Sequence, residues 1–333
     1  MKEHTAPFHS GLTVFQQVKS DIVALALAVY RFVKLDFHLL SYVYTLIVVV
    51  GGMYANYRWD IYNTLLRPTY ATGQSPWVFG VFWLVAYFSV AIPVLLLQKQ
   101  YSILRNPRFY IKIVAILVVY GVAIGYLEHY EWELPTLMPS TRAFLLRCFS
   151  QLKVACFMLI PIIIMKKTID RQVHGLYGLS LNAQYIKGYL LLLAVMLPAL
   201  IATSFTPDFL QAYPQFRPWR YQEPFGMPVW LYTTLFETSY AVDFVMVELL
   251  FRGVLVLGMV SLLGHRAILP MVALYVSIHY GKPPLETLSS MFGGYILGAL
   301  AYQTKHIWGG VFVHIGIALT MEIMGFLHYY LSW

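Results

Sequence analysis

Apolar residues run through this chain in long blocks rather than in the polar–apolar alternation of surface strands. Blocks at 39–54, 76–97, 109–127, 143–165 and 186–205 are followed by a longer one at 229–263, a short one at 268–280, and two more at 285–303 and 307–327. About 20 apolar residues in a helix cross roughly 30 Å of hydrocarbon. A helix also satisfies its own backbone groups inside a bilayer, which short open strands cannot. The pattern predicts an all-α, polytopic transmembrane helical bundle of about eight or nine membrane segments. The count is nine when 229–263 is taken as one crossing and 268–280 as another. Residues 22–33 (IVALALAVYRFV) are too short to cross and are expected to form an interfacial helix.

Composition agrees with that reading. Of the 333 residues 59% are hydrophobic and only 11% charged, with a mean hydropathy of +0.65. Soluble domains carry about 25% charged residues, so this chain lacks the charge to cover a water-facing surface. The start, MKEHTAPFHSGLTVFQQVKSD, has no compact basic–apolar–small-residue leader, so the first span is expected to double as the insertion signal. Cys148 and Cys156 fall within one predicted span, which leaves no disulfide framework and no CxxC metal site. The net charge of +8 does not point to nucleic acid, because the basic residues are scattered between spans.

Those loop charges predict an orientation. Segment 98–112 carries Lys99, Arg105, Arg108 and Lys112 with no acid, and segment 166–187 carries Lys166, Lys167, Arg171 and Lys187 against Asp170. Segment 128–142 carries Glu128, Glu131 and Glu133 against Arg142. Basic loops stay on the cytoplasmic side, so the N-terminus is expected in the cytoplasm and the loop at 206–228 outside. Three regions are expected: a cytoplasmic or interfacial segment at 1–38, variable transmembrane helices at 39–228, and a core carrying the chemistry at 229–330.

Ionisable groups inside a span are costly and mark functional sites by default. Glu248 with Arg252, His279 and His314 qualify, and Glu237 and Asp243 lie on the same long helix as Glu248. Glu248 and Arg252 stand four apart, about 40° from each other on a helix, in the favourable order for an ion pair. That pair alone reads equally as a structural salt bridge sharing one burial cost. His279 ends a short apolar element that Pro283 and Pro284 stop, and His314 lies mid-helix behind Gly309 and Gly310. Depths reckoned along the helix axes allow Glu248, His279 and His314 to meet. A carboxylate and two imidazoles in a water-poor site suit proton transfer to and from a water nucleophile.

Glu248-x-x-Phe251-Arg252-Gly253, then Tyr275-x-x-x-His279, then Gly309-Gly310-x-x-x-His314 stand in that order. They resemble the CPBP family of intramembrane proteases (CAAX prenyl protease 2 / bacteriocin-processing, also called ABI), whose pattern is EExxxR, FxxxH and HxxxN/D on successive membrane helices. The interval from Phe292 to His314, with Gly294 and Gly298 in a GxxxG spacing and Trp308 in a turn, also resembles the family's linker. The resemblance covers about 229–327 and implies an intramembrane endopeptidase. Its water would be activated by Glu248, His279 and His314, with Arg252 in support. Two positions depart from the pattern: Val247 stands where the family has its first Glu, taken as the general base, and Ala318 where it has Asn or Asp. Either Glu248 takes over as base, or a nearby acid compensates (Asp243, about 140° from Glu248, or Glu322, about 80° from His314), or the chain is a non-catalytic homologue.

No cofactor is firmly implied. Were a metal used, Glu248, His279 and His314 are the residues that could hold Zn²⁺ with an open position. The partners implied are a membrane-associated peptide or protein substrate and the lipid bilayer. The expected location is the bacterial inner (plasma) membrane. Two other readings stay open: a catalytically inactive homologue acting as a membrane scaffold or binding protein, and a proton-coupled transporter. The aromatic loop 206–228 and segment 281–286 are candidates to gate access to the site.

Overall fold

Every apolar block is helical, though not each is one continuous helix. In the computed structural model, which describes residues 14–180 and 185–331, the main helices are α1 (Val14–Asp36), α2 (Leu39–Trp59), α3 (Ser75–Leu97), α4 (Pro107–Gly125), α5 (Pro139–Thr168) and α6 (Ile186–Thr203). They continue with α7 (Val229–Glu248), α8 (Ile268–Ser277), α9 (Pro284–Thr304) and α10 (Trp308–Leu331). Residues 1–13, part of the stretch read for a leader, lie outside the described residues. Among the described residues there is no strand, and 7 helical runs are long and apolar enough to cross a membrane. One of them is the combined run Val229–Ser277, and α9 is not among them. The chain is therefore an all-α polytopic bundle with more helices than clear spans.

Two elements differ from expectation. The helix expected at 22–33 is α1, 23 residues long, because Gln16, Gln17, Lys19 and Asp21 continue it ahead of the apolar block. It lies against α6 and α9 and buries Leu25 and Phe32. The block at 229–263 is not one regular helix. After Glu248 the ladder widens into a π turn over Leu249–Val254, where the Leu255 N–H donates to the Leu250 carbonyl (2.9 Å). A 3-10 turn at Leu257–Met259 and a short helix at Val260–Leu263 complete the stretch.

The break has a visible clamp. Tyr177 lies against Gly253 and Gly258, where an added Cβ would come 3.0 Å from the Tyr177 carbonyl oxygen and 2.7 Å from its ring. The Tyr177 hydroxyl donates to Asp170 Oδ2 (2.8 Å), and Lys112 Nζ donates to Asp170 Oδ1 (2.7 Å) and to the Gly258 carbonyl (2.5 Å). Lys112 and Asp170, which the sequence places among the loop charges, are both buried. Burial of such a pair is tolerated when further hydrogen bonds satisfy it, as the Tyr177 hydroxyl and Gly258 carbonyl do here.

α8 is the centre of the bundle. All 10 of its residues are buried, as befits a helix that is apolar on every side, and it touches α2, α3 and α9. The GxxxG face of α9 packs against α8. A Cβ at Gly294 would come 3.0 Å from the Tyr275 ring, and one at Gly298 would come 2.7 Å from Met271 Cε. α10 packs against α6 and α7. This arrangement brings the end of α7, the end of α8 and the first half of α10 together.

Candidate active site

Glu248 is the last residue of α7, immediately before the π turn, and is fully buried with Arg252. Arg252 Nη1 donates to Glu248 Oε1 at 2.8 Å, so the i,i+4 pair expected from the sequence forms even though the helix widens between its members. π turns inserted in α-helices recur at functional sites because they re-aim side chains. The same Oε1 lies 3.2 Å from His314 Nδ1. An ion-paired carboxylate accepts, so His314 donates from Nδ1 and keeps the lone pair on Nε2. Glu248 Oε2 is buried with no hydrogen-bond partner among the described residues. It lies against Gly310, where any Cβ would overlap the carboxylate. Gly310 is thus what lets α10 approach Glu248.

Tyr275, on α8, joins this pair to His279. Its hydroxyl oxygen is 3.5 Å from His314 Nε2, and its ring lies edge-on to His279 with centroids 4.8 Å apart. The Arg252 guanidinium sits 4.3 Å from the Tyr275 ring centroid. His279 Nδ1 is 2.7 Å from the Tyr275 carbonyl oxygen. A carbonyl only accepts, so Nδ1 carries the hydrogen and Nε2 is left as an acceptor. His279 therefore belongs to the cluster through Tyr275, without a direct bond to Glu248 or His314 among the described contacts.

Neither of the two other acids, Glu322 and Asp243, has a hydrogen bond to Glu248, His279 or His314 among the described contacts. Glu322 accepts the backbone N–H groups of Gln215 (2.7 Å) and Phe216 (3.2 Å), fastening the loop that precedes α7. Asp243 has Lys153 and Lys282 as its electrostatic neighbours, as its place about 140° from Glu248 on α7 dictates. Ala318, one turn beyond His314, is buried among Phe144, Phe216, Tyr232, Phe236 and Tyr240. Val247 is buried in the main core. The 206–228 loop meets segment 281–286 where the Tyr213 hydroxyl donates to Glu286 Oε2 (2.9 Å) and Lys282 Nζ donates to the Tyr213 hydroxyl (3.4 Å). Burial acts to lower the Lys282 ammonium pKa, but Glu286 and the groups beyond it outweigh this and hold it above the usual lysine value.

The residues do not fit a zinc site. Among the described residues no three His, Cys, Asp or Glu side chains come together as a metal-holding group. Glu248 and His314 are directly bonded to each other, and the Tyr275 side chain packs beside both His314 and His279.

Two contributors were not singled out from the sequence. Tyr275 reads there only as the aromatic of a motif, and nothing in a single sequence tells that its hydroxyl faces His314. Gly310 reads as half of a Gly pair, and its role as the floor under Glu248 needs the packing of α10 on α7. With this geometry in view, the comparisons fall into place. A family model described as Rce1-like, type II CAAX prenyl endopeptidase, matches residues 228–320. No curated protein and no solved structure matches the chain. The matched segment contains Glu248, Arg252, Tyr275, His279 and His314 together. Over residues 228–320 the chain is therefore similar to the Rce1-like, type II CAAX prenyl endopeptidase family, in agreement with the CPBP group that its motifs resemble.

Proposed function

We propose that this protein is an intramembrane endopeptidase that hydrolyses a peptide bond of a membrane-associated peptide or protein. The observation that carries the reading is the contact of Glu248 Oε1 with His314 Nδ1, backed by Arg252 on the same oxygen. A carboxylate that holds one imidazole nitrogen fixes the tautomer and leaves the other nitrogen as a base. In this reading His314 Nε2 takes a proton from water as the water oxygen adds to the scissile carbonyl. The imidazolium so formed is stabilised by Glu248 and later gives its proton to the departing amine. His279 Nε2, on the other side of Tyr275, is a second acceptor for orienting the water. Glu248 orients rather than receives water, because Oε1 is shared between Arg252 and His314 and Oε2 is sealed against Gly310. This assigns the base to His314 in a chain whose residue 247 is Val.

The test is cleavage of a membrane-anchored peptide by the purified protein in liposomes. Wild type should cleave, and Glu248→Gln and His314→Ala should each lose about 10³-fold in kcat while keeping helical content. Variants that cleave as fast as wild type would show the assignment to be wrong. A second reading, peptide binding without cleavage, is favoured by Val247 and by Ala318 packed among aromatics. It predicts that wild type binds the same peptide and leaves it intact.

A further inference from the structure

We infer that Tyr275 is a further catalytic residue, its hydroxyl donating a hydrogen bond to the carbonyl oxygen that becomes negative when water adds. The inference rests on the peptidase reading above. Tyr275 touches Arg252, His279 and His314 together. Two nitrogens of Arg252 and one of His314 are committed, whereas Arg252 Nε is buried with no partner among the described residues. Arg252 Nη1 bonds Glu248 (2.8 Å), Arg252 Nη2 points to the Gly293 carbonyl (3.4 Å), and His314 Nδ1 faces Glu248.

The Tyr275 hydroxyl differs. Its separation from His314 Nε2 is 3.5 Å, at the outer limit of a hydrogen bond and too long to satisfy the O–H. It is thus held next to the base but left able to turn to another acceptor.

The ring itself is fixed. It is 5% exposed, Gly294 of α9 lies against one edge, and Phe251 packs edge-on at 5.0 Å. The Arg252 guanidinium over the ring adds to that hold. A preorganised donor in a dry site stabilises developing negative charge without reorganising. The step balances without any co-reactant. The water oxygen bonds to the carbonyl carbon, the C=O π pair moves onto oxygen, and the water proton goes to His314 Nε2. Tyr275 donates a hydrogen bond to that oxygen and keeps its proton. When the C–N bond breaks, the pair returns to the carbonyl and the proton on His314 leaves with the amine.

The experiment compares wild type, Tyr275→Phe and Glu248→Gln with a membrane-anchored peptide in liposomes. It also measures inhibition by a phosphonate analogue of that peptide and binding of the uncleaved peptide to each variant on a Glu248→Gln background. Tyr275→Phe keeps the ring and its packing. Its kcat should fall about 10²-fold with KM changed less than about threefold. The phosphonate should bind weaker by a similar factor, whereas the uncleaved peptide should bind as before. An unchanged kcat would overturn the inference while leaving the peptidase reading intact. Equal weakening of phosphonate and peptide would overturn it too, since that marks a merely structural ring. No cleavage by wild type, matched by Glu248→Gln, would sink the peptidase reading and this inference with it.

Discussion

At the scale of single residues, the site depends on one missing side chain as much as on those present. Gly310 sits against the Glu248 carboxylate so closely that a Cβ must displace it. Overpacking of a close contact costs about 1–3 kcal/mol, and here the carboxylate displaced through Oε2 is the one whose other oxygen, Oε1, holds His314. Gly310→Ala is therefore expected to lower the melting temperature moderately and to cut kcat more than tenfold. Gly309→Ala gives a useful contrast, since its Cβ would meet the Tyr189 ring rather than the carboxylate. Arg252 tests the same carboxylate from the other side. Removing one member of a buried pair leaves an uncompensated charge, at about 3–5 kcal/mol, so Arg252→Met should destabilise strongly. Adding Glu248→Gln should restore part of that stability, measurable as a positive coupling in a double-mutant cycle of thermal unfolding. Much of this site was readable in advance. Glu248, Arg252 and His314 stand out because charges inside apolar blocks are rare, and their spacing carries a family pattern. Asp243 and Glu322 look equally eligible in the sequence, since helical angle alone does not tell which partner a carboxylate will meet across a helix pair. Glu322 meets the amides of Gln215 and Phe216, a loop contact with no periodicity to announce it.

At the scale of elements, apolar length made the helices legible but not their irregularities. The π turn at Leu249–Val254 follows from what lies outside its own sequence: the loop bearing Tyr177, and the Lys112–Asp170 pair that holds it. Lys112 looks like a loop charge at the edge of an apolar block, yet burial leaves it 2% exposed. The clamp makes a prediction about the site some distance away in sequence. Lys112→Met strands Asp170 and should cost about 3–5 kcal/mol, seen as a drop in melting temperature in detergent. Because the clamp seats Gly258, just beyond the π turn, the same variant should also reduce kcat. If stability falls and kcat does not, the π turn keeps its shape without the clamp. Lys153 performs a similar service for α4, donating to the carbonyls of Ile124 (2.9 Å) and Tyr126 (2.6 Å). Cations at helix C-termini satisfy carbonyls that have no helical partner, which is why a lysine is tolerated inside the apolar block of α5.

At the scale of the whole molecule, the family match ends at the α7–α10 segment, but the fold does not. α8 is enclosed partly by α2 and α3, so the helices outside residues 228–320 help seat Tyr275 and His279. The remaining question at this scale is which way the bundle faces. The loop charges predict that segments 98–112 and 166–187 share the cytoplasmic side, and the Lys112–Asp170 contact independently shows that they share an end of the molecule. That contact also removes Lys112 and Asp170 from the topological count, since a buried ion pair is not read as a loop charge. Lys99, Arg105 and Arg108 remain on the first segment, and Lys166, Lys167, Arg171 and Lys187 on the second. The bias is therefore unchanged, and the orientation rule depends on such basic residues far more than on acids. In a variant with Cys148 and Cys156 replaced by Ala, single cysteines at Ser102 and Thr136 report the two ends. On intact cells a membrane-impermeant maleimide should label Thr136→Cys at once and Ser102→Cys only after permeabilisation. The opposite pattern would invert the bundle, and it would place the Tyr213–Glu286 junction, rather than the Lys112–Asp170 clamp, on the cytoplasmic side.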